Sequence, residues 1–178
     1  MINLRKEVID PYMLVWKMNN NSVAYVIFEI LMRVISIIAF PVIYLFLLTI
    51  EPFKKIKFCF LYNRRFGHLL QNTDLFLRNK QLGLIPDNVY YLFFSYKPAN
   101  NQIVKMFKRN MNIINNEFFY KLFAPFGFFR TRFYEPLPFS SNEDYEFNKA
   151  NTSLFFTDEE CIAGRGELRK MGIGENDW

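Results

Sequence analysis

Histidine and cysteine are nearly missing from this chain. Its 178 residues include one histidine, His68, and two cysteines, Cys59 and Cys161. The cysteines are about a hundred residues apart, one in an apolar run and one in a polar stretch. That argues against a disulfide and for a reducing, cytosolic setting. They also lack the paired spacing of a zinc site. Glycine is scarce, seven in all. The loop after the first strand-like run holds only Gly67, which is too few for a dinucleotide fingerprint or a phosphate-cradling P-loop. An aromatic RNA-binding signature is missing, as is a basic helix set apart from apolar sequence. Nucleic acid is therefore not an expected partner.

The chain is instead rich in phenylalanine, with twenty-two, and it carries a net charge of +5. An acidic partner fits that balance, either anionic lipid or a phosphate-bearing substrate. Residues 1–22 read as an amphipathic or polar N-terminal segment. Residues 23–50, "VAYVIFEILMRVISIIAFPVIYLFLLTI", read as a membrane-spanning or re-entrant helix. From Val34 to Ile50 nothing is charged, and adding Val23 to Phe28 reaches spanning length. Glu29 and Arg33 stand at i and i+4, where they can neutralise each other. Pro41 keeps a kinked or interfacial hairpin open. A helix buried in a soluble core would normally show a polar face, and this run lacks one. A late start and no small-residue cleavage site argue against a signal peptide. Lys54, Lys55, Lys57, Arg64 and Arg65 follow the run, so the positive-inside rule places the remainder in the cytoplasm.

Beyond Pro52 the pattern predicts alternating strands and helices. "KIKFCFLY" (55–62) and "VYYLFFS" (89–95) suit strands buried on both faces. Between them, Gly67 to Lys80 has helical spacing. Leu69, Leu70, Thr73, Phe76 and Leu77 form its apolar stripe, and His68, Asn72, Leu75 and Asn79 run along its flank. Pro98 opens a second helix, at the position where proline is best tolerated. The alternation argues for an α/β fold with a parallel sheet of βαβ units over residues 55–178. In such sheets the loops at the carboxyl ends of the strands gather at one edge. "NRRFGHL" and "YKPANN" should therefore be neighbours. Residues 118–139 crowd ten aromatics around Pro125 and Gly127, either as core or as a surface dipping into lipid headgroups. A polar linker follows. The last helix is announced by "FTDEE", with Thr157 and Glu160 forming a capping box, and it ends at Gly172.

The candidate site lies at the first strand-to-helix junction. His68 falls in the first helical turn, where the helix dipole disfavours imidazolium. A neutral imidazole beside a crevice accepts a proton from an attacking hydroxyl. Arg64 and Arg65, with the free amides around Gly67, can hold a phosphate. Asn72, one turn along, can orient a sugar or the ring. Lys97 and Asn100 join the substrate-binding set from the second loop. A structural role for the histidine, and lipid contact for the arginines, are the plain alternatives.

The pattern Arg65, Gly67, His68, Leu69 followed by Asn72, Asp74, Phe76, Leu77 and Arg78 resembles a family of bacterial glycosyltransferases of surface-polysaccharide gene clusters. "SYKPANNQIVKMFKR" and "FFTDEECIAGRGELRKMGI" are similar to later segments of that family. The resemblance runs from about Lys55 to the end of the sequence. It implies the first Rossmann-like half of a two-domain GT-B arrangement at the cytoplasmic face of a bacterial inner membrane. The acceptor would be a lipid-linked glycan. The nucleotide-sugar donor would be held by a second domain that residues 1–178 do not include, so this fragment alone is expected to be inactive and to carry no cofactor. Gly67 and His68 match a Gly-His pair lying near the acceptor in related enzymes. The non-enzymatic alternative is a membrane-anchored scaffold or degenerate remnant binding anionic lipid or protein partners. A weaker one is an accessory of polysaccharide export.

Overall fold

The computed structural model describes residues 23–138, 150–151 and 154–173. The expected segment 1–22 and most of the expected linker lie outside the described residues. Those described form a mixed α/β fold with three parallel strands and five helices. The long apolar run is a single helix, α1 (Val23–Ile50). A short turn leads from it into β1 (Lys55–Phe60), and then α2 (Phe66–Gln81), β2 (Val89–Ser95) and α3 (Asn101–Phe107) follow. β3 (Asn112–Asn115), α4 (Glu117–Phe128) and α5 (Asp158–Lys170) complete the order.

Strand order follows the sequence, β1-β2-β3, with Phe58 opposite Leu92 and Phe93 opposite Ile113. The two-residue period of each strand divides its side chains between two cores. Cys59, Phe93 and Ile113 pack with Leu69 and Phe76 of α2 and Phe107 of α3. Phe58, Phe60 and Phe94 pack on the other face with Phe126 of α4 and Leu47 of α1. Burying both faces explains why the strands read as unbroken apolar runs.

The sequence pattern led to two strands, and the structure adds a third. "NIIN" has only two apolar residues, so its strand character comes from pairing with β2. The second helix also starts later than Pro98 suggests. Asn100 is its N-cap, its side-chain oxygen accepting from Ile103 N at 3.0 Å. Of the aromatic segment 118–139, Phe126 and Phe133 are buried in the core as one expectation has it, while Phe118, Phe119 and Phe129 are exposed. Just past α4, Phe58 N donates to Phe133 O at 2.7 Å and Glu135 N donates to Phe58 O at 2.9 Å. This short stretch covers the middle of the outer edge of β1.

α1 lies along α4 from end to end, in the same direction. Near its start Glu29 meets Lys121 Nζ at 2.6 Å. Further on, the Phe40 ring lies 4.9 Å from Phe126, and Tyr44 lies 5.4 Å from Phe133. The expected Glu29–Arg33 pair gives way to this bridge, because Glu29 is on the buried face and Lys121 reaches it there. The opposite face of α1 is exposed and apolar, including Ile27, Leu31, Ile38 and Leu45. By length and composition the helix could cross a membrane.

The capping box of α5 is present. Glu160 N donates to Thr157 Oγ1 at 3.3 Å, and Thr157 N donates to Glu160 Oε2 at 3.0 Å. Gly172 follows the helix end at φ +82, a left-handed conformation that favours glycine.

Candidate functional site

The loops after β1 and β2 meet, as the βαβ reading expects. Leu61 N donates to Phe94 O at 3.0 Å, and Ala99 N donates to Asn63 O at 2.7 Å. Between them the buried Ser95 Oγ donates to Asn63 Oδ1 at 2.7 Å. The junction frames a cleft of about 190 Å³ at the carboxyl ends of the two strands. Tyr62, Asn63, Arg64 and Arg65 line it from the first loop, and Tyr96 and Lys97 from the second. Tyr120 of α4 and Tyr134 close its far side.

Arg64, Arg65 and Lys97 therefore come together, although the second loop lies some thirty residues from the first. Arg65 is the N-cap of α2, with extended backbone and no side-chain cap bond. Lys97 has φ +43, a left-handed conformation that costs a lysine about 1 kcal/mol. A surface pair with Glu117 at 3.8 Å tempers its charge only weakly. No acidic side chain lines the cleft among the described residues. Burial raises the Tyr62 phenol above its usual range. It also pushes Tyr134 up to about 12, with nearby Tyr62 and Cys59 adding to the rise. Both remain protonated donors at neutral pH, so the cleft offers three cations and neutral hydroxyls, a combination suited to an oxyanion.

The other expected residues are placed differently. His68 is the third residue of α2 and half-buried; it does not line the cleft. Its ring lies 6.4 Å from the ring of Tyr62, which does. Gly67 is exposed, and no atom lies within 4 Å of where a Cβ would sit, so packing does not demand glycine there. Asn72 is a correction. It is only 1% exposed, on the inner face of α2 and away from the cleft. Its Nδ2 has no hydrogen-bond partner among the described residues. Asn100 caps α3 and does not line the cleft.

Part of the sequence pattern around His68 has a structural use. Arg78 Nε donates to Asp74 Oδ2 at 2.7 Å, one turn apart, and Arg78 Nη1 donates to Ala150 O at 2.9 Å. These residues pin a distant segment to α2 and take no part in the cleft. Sequence reasoning missed the tyrosines. Tyr62 and Asn63 carried a local signal, since they directly follow a strand, but Tyr120 and Tyr134 arrive through tertiary packing alone. Among the described residues, no group of three or more His, Cys, Asp or Glu side chains is placed to hold a metal ion.

Comparisons with protein-family models, with curated proteins and with solved structures find no match to this chain.

Proposed function

We propose that this chain is the acceptor-side half of a membrane-associated glycosyltransferase, binding the diphosphate of a lipid-linked glycan in the cleft. The observation that carries the reading is the convergence of Arg64, Arg65 and Lys97 from two crossover loops. A diphosphate is held best by several fixed cations, and guanidinium groups bind its oxygens in pairs. The cleft also opens beside α1: Lys97 Nζ lies 5.3 Å from the ring centre of Tyr25 on that helix. An acceptor could then lay its hydrocarbon tail along α1 while its phosphates enter the cleft. The tyrosines would hydrogen-bond or stack against its first sugar.

In this reading His68 is the base, acting from beyond Tyr62 where the acceptor hydroxyl passes that ring. The nucleotide-sugar donor is held by a second domain, as the resemblance of the Arg65–Arg78 pattern implies. The site would face the cytoplasm at a bacterial inner membrane, consistent with the lysines and arginines that follow α1.

Titration with farnesyl diphosphate and with inorganic pyrophosphate tests the cleft. The expected result is saturable binding that the paired change Arg64→Ala, Arg65→Ala weakens at least tenfold, and less steeply dependent on salt. Equal affinity in the paired variant overturns the assignment. For His68→Ala, the expected outcome in a chain that carries the donor domain is loss of transfer with diphosphate binding unchanged.

A non-enzymatic lipid- or partner-binding module is the second reading. It is favoured by one observation, that the single histidine stands outside the cleft. Normal transfer by His68→Ala would remove the histidine from the chemistry, whereas absence of transfer by the unaltered chain with its donor domain, with diphosphate binding retained, would favour this reading over the first.

A further inference from the structure

We infer that α1 lies in the plane of a bilayer surface, with its exposed face in the acyl boundary, and does not cross the membrane. The inference is independent of any chemistry in the cleft. It begins from the way α1 is held. Contacts with the α/β body run from Tyr25, beside Lys97, to Leu47, which packs with Phe58 and Phe60. β1 starts at Lys55, just beyond the other end of the helix.

A helix standing across a bilayer would carry that whole flank into the hydrocarbon with it. The Glu117–Lys121–Glu29 bridge and the exposed Arg64 and Arg65 would sit at depths where charge is strongly disfavoured. Laid flat, the same helix keeps these groups on the aqueous side and buries only its outer face.

That outer face has the right composition for it. Twelve large apolar side chains of α1 are between 44% and 73% exposed; of the two charged residues of the helix, Glu29 is buried and Arg33 is half-buried, at the border of that face. At roughly half a side chain each they present on the order of 1,000 Å², against roughly 300–600 Å² for the largest patch of a typical soluble monomer. The border past the helix end alternates aromatics with cations. Phe53, 91% exposed, precedes Lys54 and Lys55, and the exposed Phe129 precedes Arg130. Aromatics of this kind enter the headgroup layer while the cations meet lipid phosphates, so the occupant inferred is an anionic bilayer.

Leu31, Ile38 and Leu45 are spaced by seven and lie on one side of the helix, each more than half exposed. The full chain with Cys161→Ser would carry one new cysteine at a time at these positions, labelled with an environment-sensitive fluorophore. Vesicles of phosphatidylcholine with about a third phosphatidylglycerol, brominated at graded acyl depths, would report depth. The expected result is one shallow depth shared by all three labels, with binding reduced at least tenfold by Ile38→Lys and by removing phosphatidylglycerol. A spanning helix would separate the Leu31 and Leu45 labels by about 21 Å in depth, and that gradient overturns the inference. Labels that ignore vesicles and are shielded by self-association instead assign the face to a second copy of the chain, and labels shielded in neither way leave it in water. Each of those outcomes also overturns it.

Discussion

Ser95 and Asn63, thirty-two positions apart, share a buried 2.7 Å hydrogen bond that ties the loop after β2 to the loop after β1. Neither side chain is exposed enough for water to replace its partner. Ser95→Ala should leave Asn63 Oδ1 enclosed without its donor, costing about 1–3 kcal/mol. Urea denaturation measures that loss. If the bond also sets the loop geometry, diphosphate affinity should fall in the same variant, although Ser95 does not line the cleft. An unchanged denaturation midpoint would count against the bond.

Lys97 separates stability from binding. Its left-handed backbone is strained for a side chain but natural for glycine. Lys97→Gly should gain about 0.5 kcal/mol after allowing for the greater freedom of glycine in the unfolded chain. The same change removes a cleft cation and should weaken pyrophosphate binding severalfold. Opposite movements of the melting temperature and the affinity are the expected signature.

Lys121 is held between two carboxylates, Glu29 and Glu117, each at 2.6 Å, and it lies 5.0 Å from the Phe28 ring centre. Glu29 is buried, so Lys121→Met would strand its charge on the α1–α4 contact. The expected cost is about 3–5 kcal/mol. Adding Glu29→Gln should restore much of the loss, because the stranded charge is then gone. Thermal unfolding of the single and paired variants reads both steps.

Glu160 gives a pH dependence with a defined direction. Its hydrogen bond from Arg109 comes first, followed by the capping bond from Thr157 N and the bond from Gln102, and together they lower its pKa to about 2. A carboxylate lowered on folding stabilises the folded state fully above its ordinary value near 4.5. That contribution is lost as pH falls toward 2. The docking of α5 against α3 should therefore hold at neutral pH and loosen in acid. A fluorophore on the exposed Cys161 of α5 would follow it, since Cys59 is buried and its thiol pKa is raised by that burial. Glu160→Gln should flatten the profile.

The parts of the fold that could be read from sequence are those whose side chains carry their own period. β1, β2 and α2 show unbroken apolar runs or a helical stripe, and α5 shows a local capping pattern. β3 was hidden because its four residues become a strand only by pairing with β2. Asn72 was misplaced for a related reason. A polar side chain at the edge of a helical stripe reads as exposed, yet the packing around α2 leaves Asn72 only 1% exposed. Of the cleft, the cations were legible because they sit in the two crossover loops of a parallel unit. The tyrosines from α4 and beyond were not, since nothing local ties residues 120 and 134 to residue 62.

The stretch at Phe133–Glu135 also fixes where this sheet can grow. By taking both backbone hydrogen-bonding groups of Phe58, it leaves no room for another strand along the centre of β1. A strand contributed by any other segment or molecule would have to join next to β3. The layer would then widen away from α1, keeping the apolar outer face of that helix clear of the addition.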